Sequence, residues 1–278
     1  MPLNPACLGK QYPVRETRVT REAIERYARA CDDLNPRYLA AAEAQVIAPP
    51  IFGATVIWPS VVEVMGDPSL QVDMLRLVHS EHEVEFFAPL RPGALIYSQA
   101  TIETIEPAPS GERMTVELPA RDSSGALVQN TRFTVFIRGP RGARAALARP
   151  SDSVDHSEPP LVEENYPVAL DLPRRYAEAS GDFNPIHLEE AVARMAGLPG
   201  VILHGLCTMA LCSRAVVDRL CEGDPARLRR LRVRFSRPVI PGQTITIRIW
   251  RGKGAQYDFE AYNPAGQAVI RAGYAQID

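Results

Sequence analysis

The 278-residue chain has no long apolar run, since no stretch approaches the ~18 consecutive apolar residues of a transmembrane helix. Its positive charge is almost entirely arginine, because Lys10 and Lys253 are the only lysines in the sequence. The formal net charge is −2, so no global field attracts nucleic acid or an anionic membrane. We therefore expect neither nucleic acid nor a membrane among its partners.

Cysteine is also scarce and irregularly placed. The five cysteines are odd in number and no CxxC pair occurs, so a disulfide framework is not indicated. The first residues show no basic segment leading into an apolar run, and the last four read AQID rather than a peroxisomal address. We expect reduced thiols and a cytoplasmic location.

Two stretches of the sequence recur at one spacing. The segment YARACDDLNPRYL begins at Tyr27 and YAEASGDFNPIHL begins at Tyr176, which is an offset of 149 residues. The segments VEFFAPLRPG at Val84 and VRFSRPVIPG at Val233 repeat the same offset. Two separate matches at one spacing indicate a duplicated fold of about 130 residues per copy.

A segment rich in proline, alanine, serine and charge lies between the two copies and follows neither the strand nor the helix period. The hydrophobic content of 46% is sufficient for two separate cores. The predicted organisation is a first half at residues 1–140, a linker at residues 141–163 and a second half at residues 164–278.

Each copy predicts the same order of elements. A short helix comes first; in the second copy Pro173 suits its first turn, and the Asp-x-Asn-Pro turn ends it because a residue before proline avoids the α region. A longer helix follows, with an apolar face from Leu206 to Leu220, and its counterpart in the first copy begins near Gly53. Alternating strands complete each copy, so we expect an α+β fold with a long helix wrapped by an antiparallel sheet.

The segment YAEASGDFNPIH, followed by His204-Gly205 and then by RPVIPG, resembles the signature of the MaoC-like (R)-specific enoyl-CoA hydratases, also called hydratase 2. The resemblance covers nearly the whole chain and implies a double hot-dog fold whose second unit is catalytic. It implies a lyase that interconverts trans-2-enoyl and (R)-3-hydroxyacyl thioesters of CoA or acyl carrier protein by syn addition or loss of water. No cofactor and no metal is expected, because the thioester already acidifies Cα. A homodimer of double hot dogs is one assembly open to it.

The resemblance assigns roles to five residues of the second copy. Asp182 and His187 form the acid/base dyad, and a carboxylate and an imidazole across a proline-fixed turn suit this chemistry because both can act on one water molecule. Asn184 holds the turn and orients the dyad. The backbone N–H of Gly205, at a helix N-terminus, meets the negative charge that builds on the thioester oxygen. Ser213 matches the position of a serine that hydrogen-bonds the catalytic aspartate.

Simpler interpretations of these residues stay open. The Asp-x-Asn-Pro turn alone ends helices in many proteins, but its combination with His187, His204-Gly205 and RPVIPG favours the active site. The alternative interpretation of Ser213 is a core serine whose hydroxyl donates a hydrogen bond to the backbone carbonyl four residues back. His204 is interpreted as structural, positioning the turn at Gly205.

The first copy lacks part of this motif. Asp33 and Asn35 are present, but Tyr38 stands where His187 stands, and Phe52-Gly53 replaces His204-Gly205. Since the reference pKa of tyrosine is about 10, we expect the first copy to keep the turn and to be non-catalytic. In similar double hot dogs the degenerate half makes room for the acyl chain, and the same is expected here.

Two other functions compete with the hydratase. The first is a hot-dog acyl-CoA thioesterase, which usually places a carboxylate on the long helix; residues 206–217 contain no Asp or Glu, which argues against it. The second is a non-catalytic acyl-thioester-binding partner subunit, and the presence of Asp182 and His187 argues against that.

The remaining histidines, His79, His82 and His156, have no metal-binding spacing, and we expect them at the surface. A second consequence of the 149-residue offset concerns charge. It matches three arginines of one strand (Arg230, Arg232, Arg234) with three glutamates of the equivalent strand (Glu81, Glu83, Glu85). If the two strands pair, opposite charges face each other and favour the pairing of unlike halves. Two solvated strand faces, or an arginine patch for CoA phosphates, are the alternatives.

Overall fold

The computed structural model describes residues 2–74, 76–139 and 158–278, which form five α-helices and eleven strands. The helices are α1 (Arg21–Ala30), α2 (Gly53–Met65), α3 (Leu172–Ser180), α4 (Glu190–Met195) and α5 (Gly205–Leu220). The strands are β1 (Arg15–Arg18), β2 (Leu77–Phe86), β3 (Leu95–Ser98), β4 (Thr101–Ala108), β5 (Gly111–Arg121), β6 (Leu127–Arg138), β7 (Val162–Pro167), β8 (Leu228–Phe235), β9 (Thr244–Arg251), β10 (Gln256–Tyr262) and β11 (Ala268–Ile277). Among these described helices, none combines the length and the apolar character needed to cross a bilayer.

All strands belong to one antiparallel sheet. Its order is β1-β3-β5-β6-β2-β8-β11-β10-β9-β7, with β4 paired to β5, so the strands of the first half lie on one side and those of the second half on the other. The halves join where β2 pairs with β8. Each half contributes one long helix, α2 or α5, whose buried side chains belong to the core under the sheet. This is the expected α+β arrangement.

Local sequence explains where the short helices begin and end. The side chain of Thr20 caps α1 by accepting a hydrogen bond from the N–H of Ala23. Helix α3 has Pro173 in its first turn and ends at Gly181, whose φ of +81° is the left-handed conformation that favours glycine at a helix C-terminus. The predicted boundary between helix and turn is therefore confirmed.

The two tyrosines that open the repeated segments meet at the centre of the molecule. Tyr27 of α1 and Tyr176 of α3 are both buried, and their ring centroids lie 5.7 Å apart in an edge-to-face arrangement. Tyr27 also contacts Phe52, which precedes α2, and Tyr176 contacts His204, which precedes α5. The Tyr27–Tyr176 contact between the halves therefore packs against the residues that precede both long helices.

The predicted charged seam forms between β2 and β8. Glu81 pairs with Arg234, Glu83 with Arg232 and Glu85 with Arg230 across β2 and β8. The guanidinium of Arg230 hydrogen-bonds Glu83 diagonally and lies 3.5 Å from Glu85. The facing of unlike charges between the halves is therefore confirmed.

We expect the seam to contribute a measurable coupling energy. Reversing one charge, by Arg230→Glu or by Glu83→Arg, places like charges together, whereas the double reversal restores an unlike pair. The side chains of Arg230 and Glu83 are 35% and 15% exposed, so a coupling energy near the upper end of the surface range, about 1 kcal/mol, is expected. Urea unfolding of the wild type, the two single variants and the double variant measures this coupling energy. A value of zero would mean that the apolar face of the sheet alone sets the register of β2 against β8.

Two expectations about histidine were wrong. His82 is only 1% exposed, and the ring of His79 stacks on Phe133 at 3.9 Å and lies 4.7 Å from Phe235. A bulge between His79 and Glu81 brings His79 onto the same inner face as His82. His156 lies outside the described residues.

The predicted linker at residues 141–163 also falls largely outside the described residues. Its last two positions, Val162 and Glu163, belong to β7 and pair with β9. The sheet of the second half therefore begins two residues before the predicted start of that half.

Candidate active site

The catalytic candidates lie on a tight turn after α3, here called the second turn (residues 182–187). The Asp182 carboxylate accepts a hydrogen bond from the N–H of Asn184 at 3.2 Å. The Asn184 side-chain oxygen in turn accepts from the N–H of Ile186 at 3.3 Å. These two consecutive Asx turns, with Pro185 between them, fix the backbone from Asp182 to His187. Asn184 thus acts on the turn itself, as expected.

Backbone contacts also set the orientation of His187. Its Nδ1 lies 2.9 Å from the carbonyl oxygen of Ile202, and since a carbonyl only accepts, Nδ1 carries the proton. Nε2 is therefore left with a lone pair while the ring is neutral, which is the form a general base needs. His187 is only 8% exposed, so little solvent competes for this nitrogen.

The turn brings three titratable groups together. A carboxylate oxygen of Asp182 and a ring nitrogen each of His187 and His204 lie within 4.8 Å of one another. One water molecule spans such a distance with two hydrogen bonds of about 2.8 Å. The predicted pair is therefore close enough to hold a single water between carboxylate and imidazole.

Burial shifts the pKa values of these groups toward each other. Loss of solvent raises the pKa of Asp182 above its usual 3.8, although the neighbouring His187 opposes the shift. The same burial lowers the pKa of His187 below its usual 6.5, opposed by the Asp182 charge and by the hydrogen bond to Ile202. For both groups the environment disfavours the charged form. Burial therefore favours the neutral form of each member of the pair.

His204 supports the turn from the start of α5. Its Nε2 donates to the backbone carbonyl oxygen of Asp182 at 2.9 Å, and its ring stacks on that of His187 with centroids 3.8 Å apart. Burial lowers its pKa to about 3, so it is neutral at physiological pH. The structural role predicted for His204 fits these contacts, with the backbone of Asp182 as the group it holds.

The same three residues are a possible set of metal ligands, and their geometry bears on that use. The two imidazole planes differ by only 26°. Lone pairs that lie in nearly parallel, stacked planes do not converge on one ion without rotation of a ring. The arrangement suits a shared water molecule better, and the expectation of a metal-free reaction stays a prediction.

Gly205 places a helix N-terminus beside the dyad. The first hydrogen bond at this end joins the N–H of Thr208 to the carbonyl of His204, so the N–H groups of the first turn have no acceptor within α5. A Cβ at Gly205 would lie 3.0 Å from Cε1 of Phe235. Glycine therefore leaves room for the Phe235 ring at the start of α5. The role of the Gly205 N–H as the oxyanion donor stays a prediction.

Comparison with known proteins places this geometry in a family. A model of the MaoC-like domain matches residues 152–269, and a model of the FAS1-like dehydratase region matches residues 6–131. Enoyl-CoA hydratase 2, peroxisomal, of Arabidopsis thaliana is 27% identical over 82% of this chain and 77% of that protein. The 3-hydroxyacyl-thioester dehydratase Y of Mycobacterium tuberculosis is 32% identical over 73% of this chain and 67% of that protein.

The chain belongs to the MaoC-like dehydratase family. It is accordingly a hydro-lyase. A MaoC-like dehydratase from Phytophthora capsici has a crystal structure with a TM-score of 0.86 and 24% identity, covering 99% of this chain and 98% of that one. A Mycobacterium tuberculosis protein with a described double hot-dog fold aligns with a TM-score of 0.62 and 12% identity, over 97% and 95% of the two chains. The predicted double hot-dog fold is confirmed.

One predicted contact of this MaoC-like dehydratase is absent. Ser213 is buried on α5, but its Oγ makes no hydrogen bond with any described residue. The expected bond to Asp182 therefore does not form, and neither does the alternative bond to the carbonyl four residues back. Instead, Ser180 lies beside the aspartate, since its Oγ accepts from the N–H of Asp182 at 3.2 Å. The two-residue spacing, typical of a serine turn, was a signal for this contact.

The first half of this MaoC-like dehydratase keeps the turn and loses the site. In this first turn (residues 33–38) Asp33 accepts from the N–H of Asn35 at 3.3 Å, and Asn35 accepts from the N–H of Arg37 at 2.9 Å, as in the second turn. Tyr38 replaces the imidazole and is fully buried. The retained geometry confirms that the two turns are structural equivalents.

The helix N-terminus of the first half is covered as well. A Cβ at Gly53, the first residue of α2, would lie 1.9 Å from Oε1 of Gln129, so the buried amide of that side chain packs directly on the glycine. Gly53 is accordingly buried, whereas its equivalent in the second half, Gly205, is partly exposed.

A cavity of about 890 Å³ lies at the first turn. Its lining includes Asp33, Arg37 and Arg91 of the first half and Arg214 and Asp218 of α5. Burial raises the pKa of Asp33 to about 6, opposed by the nearby Arg214. Helix α5 thus carries a carboxylate beyond residues 206–217, but Asp218 lies next to Asp33 and not beside the dyad.

Proposed function

We propose that this MaoC-like dehydratase interconverts trans-2-enoyl and (R)-3-hydroxyacyl thioesters, with Asp182 and His187 acting on one shared water molecule. The observation that carries the proposal is the approach of the Asp182 carboxylate and the buried, neutral imidazole of His187 to within 4.8 Å. The names of relatives, an enoyl-CoA hydratase 2 and a 3-hydroxyacyl-thioester dehydratase, support both directions of the reaction.

Hydration proceeds from the unprotonated pair. The water molecule donates one hydrogen bond to Asp182 and one to Nε2 of His187. As its oxygen forms a bond to Cβ, its proton moves to Nε2 and the electrons of the double bond move through Cα to the thioester oxygen. The N–H at Gly205 stabilises that oxyanion, and Asp182 stabilises the imidazolium.

The second step returns the enzyme to its starting state. The imidazolium gives its proton to Cα on the face from which water attacked, so the addition is syn and the dyad ends with the protons it began with. Dehydration is the reverse sequence. The R configuration and the syn course are carried over from the hydratase 2 resemblance.

Three finer points belong to the proposal. We propose CoA as the usual carrier, since relatives are named for CoA substrates, with the acyl chain accommodated by the first half. The five free, buried thiols support the cytoplasm, although the Arabidopsis relative is named peroxisomal. A homodimer of double hot dogs stays a prediction, which light scattering on the purified chain tests.

The decisive experiment follows crotonyl-CoA by the loss of enoyl-thioester absorbance while free thiol is assayed in parallel. We expect hydration without thiol release, and chiral analysis of the product should give the (R)-3-hydroxyacyl thioester. Thiol release without hydration would establish the thioesterase instead. The absence of both hydration and thiol release would favour a binding subunit. The same assay with crotonyl-acyl carrier protein compares the two carriers.

The convergent pKa values predict a one-sided pH profile. Since burial lowers the pKa of His187 from its usual 6.5, the imidazole is neutral at neutral pH. Acidification below the usual titration range of histidine protonates it and removes the base, so kcat/KM for hydration is expected to fall on the acid side only. His204, with a pKa of about 3, does not charge in this interval.

Initial rates between about pH 5 and pH 9, in buffers of constant ionic strength, measure this profile. A plateau above neutral pH is expected. An additional alkaline limb would contradict the one-water scheme, because it would require a group that starts out protonated.

A further inference from the structure

A side chain of the first half reaches the second turn. Nε1 of Trp58, on α2, donates a hydrogen bond to the carbonyl oxygen of Gly181 at 3.0 Å. Gly181 directly precedes Asp182 and has a φ of +81°. The indole also packs on this glycine, since a Cβ there would lie 3.5 Å from Cδ1 of Trp58. The indole thus contacts the catalytic turn with its N–H and with its ring.

The first turn has an equivalent contact from the other half. Asp32, which is 149 positions before Gly181, also has a positive φ, of +53°. Its carbonyl oxygen accepts a hydrogen bond from Nη1 of Arg214 on α5 at 2.8 Å. Each long helix therefore holds the turn of the opposite half at the same carbonyl. The donor at the second turn is an uncharged indole, and the donor at the first turn is a guanidinium.

We propose that Trp58 is a positioning residue of the hydratase site, so that the non-catalytic half takes part in catalysis through this one hydrogen bond. The inference rests on the proposed function, because its effect is read from the rate of hydration. Trp58 contacts the turn at Gly181, and it acts through the peptide group that leads into Asp182.

The neighbouring contacts explain why this bond matters. The N–H of Asp182 is held by Ser180 and its carbonyl by His204, and both residues belong to the second half. Trp58 adds a restraint from the first half on the preceding carbonyl. Without it this peptide keeps only the bond from the N–H of Asp182 to Ser180, and we expect its tilt to change the distance between the carboxylate and His187. Small misplacements of reacting groups have large effects on rate.

The nature of the side chain matters too. Arg214 shows what a cation at this position does, since its charge opposes the rise in the pKa of Asp33 that burial causes. An indole holds the carbonyl without adding charge. The rise in the pKa of Asp182 is therefore opposed by His187 and by the hydrogen bond from Asn184, and no guanidinium adds to them from Trp58's position. A cation at the catalytic turn would oppose the stabilisation that Asp182 gives to the imidazolium of His187.

Two substitutions of Trp58 separate its N–H from its ring. Trp58→Phe keeps the ring and removes the donor, and we expect kcat for crotonyl-CoA to fall about 10-fold while KM changes less than about 2-fold. Trp58→Gln keeps a donor and removes the ring, and it should retain more of the kcat than Trp58→Phe. A merely structural role would lower thermal stability in both variants, and it would not lower kcat selectively while KM stays nearly unchanged.

Arg214→Leu is the matched control, because it removes the equivalent bond at the first turn and should leave kcat within about 2-fold of the wild type. Wild-type kcat in Trp58→Phe, or an equal loss in Arg214→Leu, would overturn the inference while leaving the hydratase proposal intact. If the wild type itself does not hydrate crotonyl-CoA, the proposed function fails and the role of Trp58 falls with it.

An independent signal comes from fluorescence, because Trp58 and Trp250 are the only tryptophans. In a Trp250→Phe background the emission reports on Trp58 alone. Saturated butyryl-CoA, which has no double bond to hydrate, should change this emission when it binds beside the turn. The same ligand should leave the emission unchanged if Trp58 lies outside the functional turn, and that result would also overturn the inference.

Discussion

Asp182→Asn is expected to lower kcat for crotonyl-CoA hydration by about 10²–10⁴-fold, the usual contribution of positioned acid/base catalysis. The neutral amide cannot stabilise an imidazolium at His187, whereas its oxygen can keep the hydrogen bond from the N–H of Asn184. The fold should therefore survive with the rate lost. Stopped-flow or steady-state absorbance at saturating substrate measures kcat directly.

The first half supplies the matched control for this substitution. Asp33→Asn makes the same chemical change in an equivalent turn that lacks an imidazole, since Tyr38 takes that place. We expect full activity from it. His187→Gln should resemble Asp182→Asn, and the double variant should lose little more than either single one, because the two groups act on the same water. Equal losses from Asp33→Asn and Asp182→Asn would contradict a single catalytic half.

Local chemistry explains why much of this site was predictable. The second turn depends on Asp182, Asn184 and Pro185, whose side chains bond or restrict their own neighbourhood, so the sequence carries the turn without reference to the rest of the chain. The charged seam was predictable for a related reason. A repeat fixes equivalent positions, and the period of two in a strand fixes which side chains share a face.

Contacts between distant parts of the chain were not predictable in the same way. The bulge between His79 and Glu81 shifts the alternation by one position, and no proline or glycine marks it. Gln129 covers Gly53 from a strand far along the chain, and only the fold brings the two together. The family position of Ser213 gave the correct helix and burial but not the hydrogen bond, which depends on the final rotamer.

Trp58 belongs to the same class of contacts. Its hydrogen bond to Gly181 joins residues 123 positions apart, so no local pattern in α2 indicates it. The repeat nevertheless indicates where such a contact lies, because Asp32 and Gly181 are equivalent positions and both have a positive φ. Symmetry between halves thus predicts where a contact falls, while the type of side chain that makes it has to be observed.

Tyr176→Ala is expected to lower the free energy of unfolding by about 3–5 kcal/mol, the usual cost of deleting a fully buried aromatic ring. Tyr176 is 1% exposed, packs edge-to-face on Tyr27 at 5.7 Å and lies 4.9 Å from the ring of His204. The cavity would therefore open between the two halves and beneath the start of α5. For a chain of this size the melting temperature should fall by roughly 10 °C.

Tyr176→Phe is the control for this loss, because it keeps every ring contact and should change stability by less than about 1 kcal/mol. Tyr27→Ala should destabilise the chain as much, since the ring of Tyr27 is equally buried and supports Phe52 before α2. The two alanine variants should differ in activity, however. Tyr176→Ala removes the support of His204 and through it that of the Asp182 carbonyl, so kcat at a temperature where both variants are folded should fall further in Tyr176→Ala than in Tyr27→Ala. Equal kcat values in the two would mean that the stack with Tyr176 stabilises the joined halves without transmitting anything to the dyad.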